Sequence, residues 1–117
     1  RDDYAKISEK MLRASTKLIM ADLNYTSQWG AVSALYAKPT IELAISGKGA
    51  LAASAAINKE YYPNLLIIGS DTASTLPLLK GREPKGDGIL FYVCKDKSCK
   101  LPVDSWQAAL KQITDEV

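Results

Sequence analysis

Three short, almost uninterrupted apolar runs constrain this chain most: "TIELAIS" (40–46), "NLLIIGS" (64–70) and "ILFYVC" (89–94). Each is too short for a buried helix and is bounded by Gly, Pro or Asp, so each reads as a strand covered on both faces. Between the first two lies "ALAASAAINKEYY", an alanine-rich helix whose small side chains suit close packing on a sheet. "TASTLPLLKGR" reads as a short helix or turn, with Pro77 tolerable only near its first turn. "EPKGDG" is a loop, and "PVDSWQAALKQITDEV" is a last helix capped by Asp104 or Ser105, with Trp106, Ala109, Leu110 and Ile113 on one face. Strand alternating with helix predicts an α/β fold. The expected form is a small three-stranded parallel sheet with right-handed crossovers and helices on both faces.

The pattern before Pro39 differs. Tyr4, Ile7, Met11, Ala14, Leu18 and Ala21 recur at spacings of three and four, while Lys6, Glu9, Lys10, Arg13 and Lys17 fill the other face. This is an amphipathic helix, with Asp2 and Asp3 at the end that favours negative charge. Asn24 ends it. Thr26 or Ser27 caps a second helix carrying Trp29, Val32, Leu35 and Tyr36, and Pro39 stops that one. Residues 1–38 are therefore expected to form a helical hairpin, and residues 39–117 a small α/β domain.

Composition narrows the function classes. The 117 residues carry a net charge of +2, too mild for the concentrated basic face of a nucleic-acid binder. No apolar run approaches the roughly 18 residues that span a bilayer. There is no histidine, which removes Ser-His-Asp and Cys-His nucleophile activation and the commonest transition-metal ligand. The charged start, without an initiator methionine, suggests a piece of a longer chain. Two cysteines leave the redox compartment undecided, with a soluble, cytoplasmic setting slightly favoured.

Three candidate sites emerge. Cys94 and Cys99 bracket "KDKS", and Lys95, Lys97 and Lys100 would favour a thiolate. The pair can be structural (free or bridged), redox-active, or half of a metal site; two thiolates fall short of the four ligands of structural zinc. Gly47, Gly49 and Ala52 form G-x-G-x-x-A between a strand and a helix, with Asp71 about twenty residues on. That is the spacing of a dinucleotide-binding turn. The plainer alternative is a tight turn, with Asp71 capping a helix after the second strand. Finally, Lys80, Arg82, Lys85, Lys95, Lys97 and Lys100 would converge at the C-terminal ends of adjacent parallel strands, where open α/β sheets bind ligands, or else form a solvated surface.

Residues 39–112 also resemble a known family. "PTIELAISG", "YYPNLLIIGS" and "LPLLKGREPKGDGILFYVCKDKSCKLPV" are similar to the C-terminal end of the thioredoxin-domain-containing proteins that include the mammalian spermatogenesis-associated member. The most specific elements are Leu79–Arg82, Tyr92–Cys94, Cys99 and Leu101–Pro102. The resemblance implies a parent with an N-terminal thioredoxin-like domain and a six-hairpin helical toroid, of which residues 1–38 would be the last hairpin. The redox pair of that first domain has no counterpart here, because Cys94 and Cys99 are too far apart for Cys-x-x-Cys. The leading expectation is a non-catalytic accessory domain without a cofactor. Its partners would be the upstream thioredoxin-like and toroid domains, or a second copy joined through apolar residues of the hairpin such as Tyr4, Met11, Trp29 and Tyr36. The alternatives are thiol exchange at Cys94 and Cys99, and dinucleotide or anion binding at Gly47–Ala52.

Overall fold

The computed structural model describes residues 2–115. The chain divides into two compact units, Arg1–Lys38 and Pro39–Val117. The first is a pair of helices, α1 (Asp2–Ala21) and α2 (Ser27–Ala37). Thr26 occupies the N-cap position of α2, but its hydroxyl does not cap. It donates instead to the carbonyl of Asp22 at 2.6 Å, while Asp22 Oδ1 accepts from Tyr25 N–H at 3.1 Å. The connection is thus a folded turn around buried Thr26. Tyr36 Oη donates to the carbonyl of Ala5 at 3.1 Å and ties the two helices together. No residue of either helix is buried, and Tyr4, Ile7, Met11 and Leu18 are all more than half exposed. What α1 half-buries runs instead along Ser8, Leu12, Ser15 and Ile19.

The second unit contains β1 (Ile41–Gly47), α3 (Ala50–Ile57), β2 (Leu65–Ser70), β3 (Ile89–Lys95), β4 (Ser98–Cys99) and α4 (Trp106–Thr114). The last two residues of the final predicted helix, Glu116 and Val117, lie outside the described residues. The three apolar runs do share one sheet, in the order β2-β1-β3-β4. The sheet is mixed and four-stranded, which corrects the expectation of three parallel strands. β1 and β2 are parallel, Ile41 opposite Leu65 and Ser46 opposite Ser70. β1 and β3 are antiparallel, Glu42 opposite Cys94 and Gly47 opposite Ile89. The reason lies in the connections. α3 returns the chain to the end of the sheet where β1 began, so β2 must run parallel. The segment 71–88 contains no helix and ends at the same end of the sheet where β2 stopped, so β3 enters in reverse. A continuous apolar run reports burial on both faces but carries no direction.

The helices lie against one face of this sheet. Ile41, Leu43 and Ile45 of β1 and Phe91 and Val93 of β3 form one cluster with Ala50 and Ile57 of α3 and Ala109 and Ile113 of α4. Tyr62 meets Trp106 edge-on, with ring centroids 5.8 Å apart, and links the α3–β2 connection to α4. Ser105 Oγ accepts from Ala108 N–H at 3.4 Å and caps α4. The alternate residues Ala44 and Ser46 point to the other face and are also buried.

Gly47 holds the sheet's upper corner. Its φ is +120°, and a Cβ there would stand 2.0 Å from the carbonyl oxygen of Gly88. Gly49 also has positive φ, yet a Cβ on it would meet nothing within 4 Å. Gly47→Ala is therefore expected to lower the unfolding free energy by roughly 2 to 4 kcal/mol, combining backbone strain with overpacking. Gly49→Ala should cost only about 1 kcal/mol. Urea midpoints of the two variants check the difference.

Candidate functional site

The cysteine loop is a β-hairpin. β3 runs into Asp96 and Lys97, whose φ values are +51° and +66°, and β4 returns. Two consecutive left-handed residues make the turn type whose twist matches that of the strands. Asp tolerates this conformation and lysine does so less well. Lys95 pairs with Ser98 and Cys94 with Cys99. The next rung, Lys100 N–H to the carbonyl of Val93, is hydrogen-bonded at 2.9 Å, so the cysteines occupy the non-hydrogen-bonded rung, where side chains approach closest.

The two sulfurs are joined as a disulfide, with Cα atoms 3.9 Å apart. Cys94 is buried on β3, 2% exposed, whereas Cys99 is exposed on the two-residue edge strand. Beyond the bridge the pairing slips by one residue. Phe91 and Val103 exchange both backbone hydrogen bonds, at 2.8 and 3.1 Å. Leu101 and Pro102 therefore share the place opposite Tyr92 as a bulge, where the missing N–H of proline breaks no ladder bond. Gln112 Nε2 donates to the Leu101 carbonyl at 3.1 Å, and Lys100 Nζ donates to the Gln112 carbonyl at 3.1 Å, anchoring this return strand to α4.

Arg82 reaches the bridge from the 71–88 segment. That segment leaves the sheet at Ser70, reaches the far end of β3, and comes back to Ile89 beside Gly47. Turns at Leu76–Lys80 and Leu79–Arg82 bring the guanidinium round: the amides of Leu79 and Lys80 both donate to the Leu76 carbonyl and that of Arg82 to Leu79, each at 2.9 Å. Arg82 Nη1 donates to the carbonyl of Leu78. Nη2 lies 2.8 Å from Cys99 Sγ and 3.7 Å from Cys94 Sγ. The guanidinium carbon stands 5.6 Å from the centroid of the Tyr92 ring, within cation–π range. An open depression of about 300 Å³ beside the bridge is lined by Glu42, Pro77, Leu78, Arg82, Lys97 and both cysteines. A second, of about 380 Å³, borders the hairpin through Lys95, Asp96, Ser98 and Lys100.

The structure thus brings Arg82 and Lys97 beside the bridge, whereas Lys95 and Lys100 alternate with the cysteines onto the opposite face of the hairpin, where Lys100 reaches α4. It separates Lys80, which lines a different depression with Ala73, Ser74, Thr75 and Glu83. The meeting place also differs from the expected one. Because β3 is antiparallel, the basic residues gather where β1 begins, not at the C-terminal ends of parallel strands. The glycine turn sits at the opposite end of β1, five residues from Glu42 and about 17 Å along the strand.

At that turn the residues with dinucleotide spacing serve the fold. Asp71 Oδ1 accepts from Leu51 N–H at 3.0 Å, so the carboxylate caps the start of α3 from the next strand's end. This corrects the expectation that it caps a helix after β2; residues 71–88 contain none. The space that Gly47 leaves open is taken by the Gly88 carbonyl. Gly49 occupies the N-cap position of α3 in a left-handed conformation.

No family model, curated protein or solved structure matches this chain. Among the described residues, no group of three or more Cys, Asp or Glu side chains could hold a metal ion, and no helix is long and apolar enough to cross a membrane. The site's chemistry therefore rests on its own geometry: a disulfide between one exposed and one buried cysteine, with an arginine at both sulfurs.

So small a covalent loop adds only about 2 kcal/mol by chain entropy. The ladder continues past it through Val93–Lys100 and Phe91–Val103. Reduction with excess dithiothreitol is expected to lower stability by about 2 kcal/mol in urea titrations while leaving the far-ultraviolet circular dichroism of the native chain unchanged.

Proposed function

We propose that this chain is a non-catalytic accessory unit of a larger thioredoxin-domain-containing protein, packing against the toroid or thioredoxin-like part of that parent. The observation that carries this reading is the apolar row Tyr4, Ile7, Met11 and Leu18 on α1, every member more than half exposed. Leu35 and Tyr36 of α2 are exposed as well. A contiguous surface of this kind is what a helix keeps for another layer of protein. The parent's helical toroid is the occupant that the sequence resemblance supplies.

The 117-residue chain by itself should then associate or bind a hydrophobic dye. Met11→Glu combined with Leu18→Glu should return it to a monomer that does not bind dye, with helix content retained. Sedimentation velocity and dye fluorescence measure both. A wild-type chain that sediments as a clean monomer without dye binding contradicts the reading.

A second reading, thiol exchange at Cys94 and Cys99, is favoured by the exposure of Cys99 and the arginine beside its sulfur. Structural disulfides commonly have potentials below about −300 mV, whereas catalytic dithiols lie above that. The native chain is expected to equilibrate with a thiol buffer at a potential within the catalytic range. Resistance to reduction until the chain unfolds would rule this out.

A further inference from the structure

Resting on the thiol-exchange reading, we infer that the Cys94–Cys99 bridge is a directional two-electron redox centre, with Arg82 as its fixed counter-cation and a protein dithiol as its reductant. Three observations carry this. The two cysteines are unequally exposed: Cys99 is an exposed residue on an edge strand and Cys94 is 2% exposed. An incoming thiolate therefore reaches Cys99 Sγ. Arg82 spans both sulfurs, at 2.8 and 3.7 Å. It is itself held in place by the Leu78 carbonyl and by cation–π contact with Tyr92, so its charge is fixed before any thiolate forms. The depression of about 300 Å³ at this spot is open and is walled by Lys97, Arg82, Glu42, Pro77 and Leu78, room for a short loop bearing a thiol.

The reaction is ordinary thiol–disulfide exchange. The first thiolate of the dithiol bonds to Cys99 Sγ, the Cys94–Cys99 bond breaks, and Cys94 leaves as a thiolate. Burial and the neighbouring Glu42, directly opposite Cys94, disfavour such a leaving group, and Arg82 offsets that cost with a hydrogen bond that becomes charge-assisted once the thiolate forms. The second thiol of the reductant then attacks its own mixed-disulfide sulfur and releases the Cys99 thiolate beside Nη2. The dithiol becomes a disulfide, two electrons pass to the cysteines, and its two thiol protons balance the two thiols formed. Arg82 touches both reacting sulfurs and stabilises the thiolates by its charge, carrying neither electrons nor protons.

The ladder explains why the centre can cycle. The bridge spans a rung without backbone hydrogen bonds, and the rungs on its inner side are intact. Opening it requires no strand to leave the sheet.

The test has two arms on the intact 117-residue chain. In the first, the chain is incubated with glutathione as a monothiol probe, quenched with acid, and the adduct mapped by mass spectrometry. The adduct is expected on Cys99; an adduct on Cys94 overturns the direction. In the second, wild type, Arg82→Gln, Arg82→Lys and Lys80→Gln are equilibrated with reduced and oxidised dithiothreitol, and free thiols are trapped with a maleimide. Arg82→Gln should shift the equilibrium about tenfold toward the disulfide, or about 30 mV for this two-electron couple. Arg82→Lys should recover part of the shift, and Lys80→Gln, whose side chain lines a separate depression, should stay at the wild-type value. Equal shifts in Arg82→Gln and Lys80→Gln, or none in either, overturn the role of Arg82. If Arg82→Gln loses its native circular dichroism, Arg82→Lys against Lys80→Gln gives the same comparison. If neither sulfur exchanges with thiol in the folded chain, the thiol-exchange reading itself fails. Exchange without an Arg82 effect removes only the present inference.

Discussion

The α/β unit depends on β1 being paired along both edges and covered on both faces. Leu43, Ala44 and Ile45 have no exposed surface at all. A backbone in that position has no water to bond, so its amides and carbonyls must be met by neighbouring strands, and β2 and β3 meet them in opposite directions. Burying a side chain the size of Leu or Ile contributes roughly 1.5 to 3 kcal/mol, and β1 supplies three such residues to the helix-covered cluster. The shortness of α3 and α4 is tolerable because Ala50, Ile57, Ala109 and Ile113 need only to cover this one strand and its neighbours.

The second face follows from the first. With both helices committed to the side of Leu43, the side of Ala44 and Ser46 lacks a helix of its own unit, and the long 71–88 connection runs down the sheet and back. The descent sets Arg82 against Tyr92, Cys94 and Cys99. The polar centre is thus made by a segment with no regular structure, held by turn hydrogen bonds and by buried Leu79.

Much of this was legible beforehand, for identifiable reasons. The three apolar runs are β-strands, because short, largely apolar runs between turn formers have few other outcomes. The change of pattern at Pro39 coincides with the division between the two units. Ser105 and the spacing of Ala109 and Ile113 set out α4. Strand direction was not legible, because apolar content says nothing about which end a strand enters. That single omission moved the basic residues to the other end of the sheet. The fourth strand escaped notice because two residues, Ser98 and Cys99, carry no periodicity; the signal available was Asp96 between two strand-like pieces at hairpin spacing. Arg82 stood out as the end of the Leu79–Arg82 motif and as one of six basic residues with a candidate ligand-binding role, but nothing in the sequence pointed its guanidinium at the cysteines. Only the turns at Leu76–Arg82 direct it to the sulfurs. Asp71 was noticed for its distance from the glycines, and that spacing has a physical origin: the carboxylate comes back to the helix start just after the adjacent parallel strand.

The corner at Gly47 has a bearing on how such a sequence can change. What fills the missing side chain's volume is a main-chain oxygen, that of Gly88, and a main-chain oxygen is common to every amino acid. No replacement at position 88 could make room for a methyl group at 47. Suppressors of a change there should therefore be insertions or deletions that reroute the incoming segment, and sequence drift at this corner should proceed by altered loop length, not by paired residue exchange.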